Sequence, residues 1–337
     1  MKICIYGAGA IGAYMGAQLA TGGAEVSFVA RGPHLAAMQR NGVRLLTDEG
    51  ERVINLRCAS NPADLGPQDY VIIALKAHSV PGVVDSMQPL LGPETAVVTA
   101  VNGIPYWYFY QHGGEFAGTT LDSIDPGGKQ WRDLGPERAI GCVLYPAAEI
   151  VEPGVIRHVY GKKFPIGEPN GETTPRIQAL HDAMVAGGLE APIRDNIRDE
   201  IWLKLWGNLC LNPISALTHA TLDVITSNVG TRDVARTMMS EAKSVADRFG
   251  VHFRVDIERR IDGAGAVGAH KTSMLQDLEA GRPMEIDPLL TVVQEMARLV
   301  GHPTPTIDTV LALIKLREGV AQHTAVAASA PLKAQAA

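Results

Sequence analysis

Along the first half of the chain, short β-prone apolar runs alternate with longer stretches of helical spacing. Residues 2–6 read as a strand, glycines at 7 and 9 break it, and residues 10–20 carry helical composition with apolar residues at helical intervals. Residues 25–30 read as a second strand. The segments 70–75 and 96–101 are nearly continuous apolar runs, as strands buried on both faces are. Strands alternating with helices imply an α/β architecture with a parallel, doubly wound sheet. Between 105 and 136 the pattern weakens into an aromatic run, Gly113-Gly114 and Asp125-Pro126-Gly127-Gly128, which predicts a long irregular loop or lid. Strand-like segments return at 140–145, 148–151 and 155–160, with Glu152-Pro153-Gly154 as a hairpin turn, and are expected to extend the sheet's edge.

After about Pro169 the periodicity changes. Helical spacing runs through 175–187, 196–220, 231–249, 272–280 and 288–300 with almost no strand signal, so the second half is expected to be mainly helical. The division predicted is 1–169 for the sheet domain, 170–321 for the helical domain and 322–337 for a flexible tail poor in large apolar side chains.

Composition narrows the chemistry. A chain of 337 residues with 46% hydrophobic and 20% charged residues can bury two cores and is too apolar to be disordered. Its net charge of −6 repels a polyanion, so nucleic acid is not an expected partner and an anionic ligand must be caught by a local basic site. Cys4, Cys58, Cys142 and Cys210 show no paired spacing, which argues against a disulfide framework or a metal site. Met1 and Lys2 open on a short apolar run without a cleavable leader pattern, and no uninterrupted apolar stretch is long enough to span a bilayer. A cytoplasmic, soluble protein with no membrane partner is the expectation.

Gly7-Ala8-Gly9-Ala10-Ile11-Gly12 places G-x-G-x-x-G directly after a strand and at the opening of a helix, the context of a Rossmann-type dinucleotide site. Gly7 permits the turn, Gly9 lets the backbone approach a pyrophosphate, and Gly12 lets helix and strand pack closely. NAD-binding sites of this kind end the second strand on an acidic residue, whereas this chain has Arg31 there. A guanidinium suits the 2′-phosphate of NADPH, although a solvated surface arginine would look the same. Lys76 and Asn102 follow the strands at 70–75 and 96–101, on the carboxyl edge where such sheets bind ligands, or they merely begin loops.

In the helical half, Lys204, Asn208 and Asn212 recur at intervals of four, a polar stripe on a helix that is otherwise apolar around Trp202, Leu205, Trp206 and Leu209. Buried polar groups need partners; a substrate is one candidate, and a helix with structural asparagines and a snorkelling lysine is the other. Pro213 should kink or end that helix. Asp287-Pro288 reads as the N-cap and first residue of a later helix, with Glu285 in the loop before it, where an ordinary surface carboxylate would also be tolerated.

Taken together, Gly7 to Gly12, Asn102-Gly103, the Lys-x3-Asn-x3-Asn-Pro stretch from Lys204 to Pro213, Ser273-Met274-Leu275-Gln276-Asp277 and Glu285-Ile286-Asp287 resemble the ketopantoate reductase (2-dehydropantoate 2-reductase) family in content and order. The resemblance implies NADPH-dependent reduction of a small 2-oxo acid, ketopantoate foremost, to its 2-hydroxy acid in a cleft between two domains. It implies Lys204 as general acid and Glu285 as a substrate-binding carboxylate that orients the lysine. Asn208, Asn212 and Ser273 would hold substrate, Arg31 and Lys76 would lie on the NADPH side, and Asn102 near the nicotinamide. A homodimer is compatible with it. Residues 105–138 depart from the family pattern, with Tyr106-Trp107-Tyr108-Phe109-Tyr110 at their start. That cluster is either ordinary packing or part of a pocket for a bulkier substrate. Two other readings stay open: a related reductase of a different carbonyl compound, and a non-catalytic NADP(H)-binding sensor.

Overall fold

The computed structural model describes residues 1–329, with side chains described through His323. In chain order the first unit contains β1 (Lys2–Tyr6), α1 (Ala10–Thr21), β2 (Glu25–Val29), α2 (Gly32–Asn41), β3 (Val43–Thr47), β4 (Gly50–Ile54), β5 (Arg57–Ala59), β6 (Gln68–Ile73), α3 (Val84–Met87) and β7 (Leu91–Thr99). It continues through α4 (Lys129–Asp133), β8 (Ala139–Cys142), β9 (Ala147–Glu152), β10 (Val155–Tyr160), β11 (Ile166–Gly167) and α5 (Pro175–Ala186). The chain divides into two compact units between Ile201 and Trp202, inside the long helix α6 (Ile197–Thr218).

Seven strands form the main sheet in the order β11-β8-β7-β6-β1-β2-β5, all parallel except β11. The central strand β1 pairs on both sides, Ile5 standing opposite Phe28 on β2 and Ile72 on β6. Its residues Ile3 to Ile5 are fully buried, as a parallel strand covered on both faces requires. The α/β class expected from the alternation is observed.

The returning strands do not extend that sheet. Only β8 joins it, ending at Cys142, while β9 and β10 pair with β3 and β4 in a separate four-stranded sheet of order β4-β3-β10-β9. Helix α1 explains the split. It contacts β1 and β2 of the main sheet and also β3, β9 and β10 of the small one. Tyr14 stacks on His158 of β10 with ring centroids 4.5 Å apart. An element covered on more than one side needs apolar or small residues all round, and Gly12 to Leu19 are buried without exception. Strands β3 to β5 escaped the pattern reading because they are short and half exposed.

The second unit is helical: the remainder of α6, then α7 (Leu222–Ser227), α8 (Val229–Arg248), α9 (Ile257–Gly265), α10 (Ser273–Glu279), a π-helical turn at Asp287–Thr291, α11 (Val292–Leu299) and α12 (Pro305–Ser329). Glu241 on α8 accepts hydrogen bonds from the backbone N–H groups of Thr306 and Ile307, both at 2.9 Å. A carboxylate on the first N–H groups of a helix satisfies donors that have no partner within it and opposes its dipole. Of the tail expected at 322–337, residues 322–329 belong to α12 and the rest lie outside the described residues. No helix among the described residues is long and apolar enough to cross a membrane.

Candidate functional site

The fingerprint glycines sit where the end of β1 turns into α1, and each meets a different constraint. Gly7 has φ +108°, and a Cβ there would come within 2.8 Å of the Ala74 carbonyl oxygen. A Cβ on Gly12 would run into the Gly7 carbonyl oxygen and press on Ala74 Cβ at 2.8 Å and Ile5 Cγ2 at 3.2 Å, so helix, turn and sheet touch at this point. Gly9, by contrast, would place a Cβ in open space, with no atom within 4 Å. It is the N-cap of α1, with no side-chain cap and no acidic residue in the first turn. Helix N–H groups left without a side-chain partner, beside backbone a ligand can approach closely, form an anion site. These residues fit a dinucleotide phosphate.

Three more expected residues share this carboxyl edge. Arg31 follows β2, caps α2 in extended conformation and is exposed, and Gly7 N–H reaches the Val29 carbonyl at 3.1 Å, so the two strand ends adjoin. Strand β6 ends at Ile73 and β7 at Thr99, each two residues earlier than expected, which leaves Lys76 and Asn102 in the following loops, both half-buried. Four neighbouring parallel strands thus present Gly7 to Gly12, Arg31, Lys76 and Asn102 along one edge. Ligands of open parallel sheets bind there.

In the helical unit, Lys204, Asn208 and Asn212 all lie on α6. Asn212 is buried, while Lys204 and Asn208 keep part of their surface accessible. Pro213 does not end the helix, which runs on to Thr218. The residues beyond it, Ile214, Ser215 and Ala216, are buried, and that packing carries the helix past a ring that local propensity would use as a stop. Trp206 fixes the helix to its own unit by donating its indole N–H to the Met239 carbonyl at 2.6 Å.

Burial, reinforced by the Arg260 guanidinium, pushes the Lys204 ammonium down to a pKa of about 8. Desolvation disfavours the charged form and a like charge adds to the effect. Such an ammonium gives up its proton near neutral pH far more readily than an ordinary lysine. The arginine reaches α6 because residue 207 is glycine. A Cβ on Gly207 would sit 2.7 Å from Arg260 Cζ, so the guanidinium lies against the helix backbone three residues beyond Lys204.

Ser273 opens α10 and is exposed, with Thr272 as the cap that accepts from Leu275 N–H. Glu285 is buried, 3% exposed, in the loop before the π-helical turn. Asp287 is not the N-cap expected of it: it already lies within that turn, where its carboxylate accepts the Thr291 hydroxyl at 2.6 Å. A capping aspartate needs extended backbone just ahead of the helix, and here Ile286 already has helical angles, so the start moves one residue back.

Residues 3–171 match the family described as ketopantoate reductase PanE/ApbA, and residues 196–318 match its C-terminal counterpart. The chain belongs to the ketopantoate reductase family. A 2-dehydropantoate 2-reductase of Mesorhizobium japonicum is 57% identical over 316 residues, covering 94% of this chain and 97% of the relative. Among solved structures, a ketopantoate reductase-like protein from Ralstonia solanacearum MolK2 superposes with a TM-score of 0.90 at 39% identity, covering 95% of this chain and 98% of the other. The 2-dehydropantoate 2-reductase of Geobacter metallireducens superposes with a TM-score of 0.83 at 25% identity, covering 94% and 99%.

Within this ketopantoate reductase fold, the aromatic cluster at 106–110 is largely core. Trp107, Tyr108 and Phe109 are at most 1% exposed, and the Trp107 indole donates to Thr99 Oγ1 at 2.9 Å. Arg198, which no sequence pattern marks, holds this segment: it donates to the carbonyls of Tyr108 at 2.8 Å, Tyr110 at 2.7 Å and Pro169 at 2.5 Å. Nor does a pattern mark Arg260 itself. Its one sequence signal is Gly207, a helix-interior glycine whose cost in propensity marks a close approach.

Proposed function

We propose that this protein is an NADPH-dependent 2-dehydropantoate 2-reductase that converts ketopantoate to pantoate. The observation that carries the reading is Lys204, a lysine whose proton affinity is lowered to about 8 on the helix face that also bears Asn208 and Asn212. Reduction of a ketone places negative charge on its oxygen, and a positioned ammonium both stabilises that charge and donates the proton that makes the hydroxyl. The nicotinamide nucleotide, when bound, supplies the hydride to the carbonyl carbon.

In this reading the backbone of Gly7, Ala8, Gly9, Ala10, Ile11 and Gly12 takes the pyrophosphate, Arg31 takes the 2′-phosphate, Lys76 adds positive charge to the cofactor side, and Asn102 orients the nicotinamide end. Lys204 is the general acid. Glu285 binds the substrate and orients the lysine, and Asn208, Asn212 and Ser273 hold the 2-oxo acid. An identity of 57% to a named 2-dehydropantoate 2-reductase favours an enzyme over a nucleotide sensor. A homodimer in the cytoplasm is the expected working form, and a solved relative from Staphylococcus aureus is described as dimeric. The test is NADPH oxidation by the purified protein with ketopantoate and a panel of branched 2-oxo acids, repeated with NADH. Ketopantoate should be reduced fastest and NADPH preferred. Turnover of another 2-oxo acid with none of ketopantoate would overturn the substrate, and equal use of both nucleotides would overturn the cofactor.

A further inference from the structure

His34, two residues inside α2, belongs to no role assigned above, yet its ring touches the segments that shape the nucleotide edge. Its Nδ1 accepts a hydrogen bond from Gly154 N–H at 3.0 Å. That bond leaves the proton of the neutral ring on Nε2. Nε2 is buried and has no hydrogen-bond partner. The backbone group it faces is that of Ala8, between the first two fingerprint glycines; burial lowers the proton affinity of the ring and outweighs the Ala8 backbone, which raises it.

The anchoring end is rigid. Gly154 has φ +83° in the turn between β9 and β10, its carbonyl accepts from Arg44 N–H at 2.9 Å, and a Cβ there would meet Ala37 Cβ at 3.1 Å. One imidazole therefore ties the small sheet to the start of α2, whose N-cap is Arg31, and turns its other nitrogen toward the phosphate turn. A buried donor aimed at a ligand-binding loop and left unsatisfied calls for a partner. A small shift of the loop would supply one.

We propose that His34 is a positioning residue for the nucleotide: anchored on Gly154, it braces the turn at Ala8, and its Nε2–H bond closes when a dinucleotide pyrophosphate occupies that turn. The proposal rests on the reading of Gly7 to Gly12 as the pyrophosphate site. Because the pyrophosphate is common to both nucleotides, loss of the brace must weaken NADPH and NADH alike, whereas loss of Arg31 must weaken NADPH alone.

The experiment is fluorescence titration of NADPH and NADH into the wild type, His34→Ala, His34→Asn and Arg31→Ala, with kcat at saturating NADPH and the melting temperature without nucleotide. Asparagine keeps an acceptor for Gly154 N–H but does not reach Ala8, so it tests the brace even if the alanine variant fails to fold. Both His34 variants should raise the Kd of each nucleotide by the same factor, roughly three- to tenfold for one hydrogen bond, with kcat within about twofold of wild type. His34→Asn should melt with the wild type. Affinities within twofold of wild type in His34→Asn, a loss confined to NADPH, or a fall in kcat parallel to the loss of affinity would each overturn the brace. Failure of the wild type to bind either nucleotide would overturn the pyrophosphate reading itself, and the role of His34 with it.

Discussion

The carboxyl edge of the main sheet and the polar face of α6 solve opposite problems. The sheet edge is built mainly of backbone: its glycines remove side chains so that a helix packs on a strand at Gly12 and space stays open at Gly9, where α1 begins. The α6 face works with side chains, one of them a half-buried ammonium whose proton affinity is lowered. Backbone recognition is written in local spacing and is legible without a structure. The proton affinity of a side chain depends on what other segments bring to it, and Arg260 arrives at Lys204 from 56 positions along the chain.

The largest effect expected separates the two regions by what they sacrifice. Lys204→Ala should lower kcat by about 10²–10⁴ while leaving NADPH affinity near that of the wild type. Full activity in the variant would remove the lysine from the chemistry. Lys204→Met adds a stability readout. The folded-state pKa of about 8 lies below the ordinary 10.5, so the folded protein carries a cost for the charged ammonium. That cost is present in full below about 8 and relieved as pH rises toward 10.5. The methionine variant should therefore melt a few degrees higher than wild type at pH 7, with the gain shrinking at alkaline pH. A gain independent of pH would point to packing instead.

At the sheet edge the glycines should divide by role. Gly12→Ala presses a methyl group into the Gly7 carbonyl, Ala74 and Ile5 and should cost about 1–3 kcal/mol in chemical denaturation. Gly9→Ala meets nothing in the protein, so stability should hold while nucleotide affinity falls about tenfold or more. If both variants lose stability equally, Gly9 is a packing residue and the anion site is misplaced. Arg31→Ala should raise the NADPH KM at least about tenfold and leave NADH nearly unchanged. An equal rise for both nucleotides would take the arginine off the 2′-phosphate.

How far the sequence could be read follows the same division. The run from β1 through the glycine turn to α1 was legible because strand, turn and helix are contiguous and each glycine answers a local demand. The four loops of the sheet edge followed from strand order, and the stripe on α6 from helical spacing. The assignment of β9 and β10 to the main sheet failed because strand partners are chosen by tertiary packing: β3, a weak local signal, supplies the parallel partner of β10, and α1 separates the two sheets. Of the two outcomes expected at Pro213, a kink or an end, the end does not occur, since burial of Ile214 to Ala216 outweighs a local stop signal. Arg198, His34 and Arg260 act through partners distant in sequence, which no spacing rule reports.

The smallest effect tests the link between an arginine and the proton it helps to release. With Lys204 in the proposed role of general acid, reduction needs it protonated, so kcat/KM should be level below neutrality and fall as pH rises through about 8. Arg260→Gln removes a positive charge that disfavours the ammonium, so Lys204 should hold its proton to higher pH and the falling limb should move upward. Burial is the larger cause and the arginine the smaller, so the limb should stay well below the 10.5 of an ordinary lysine. A limb unmoved by Arg260→Gln would leave burial as the sole cause, and a limb moved downward would show that the guanidinium stabilises the charged form. In either case the close approach at Gly207 would be packing rather than tuning, and the contrast between a backbone site and a side-chain site would rest on Lys204 alone.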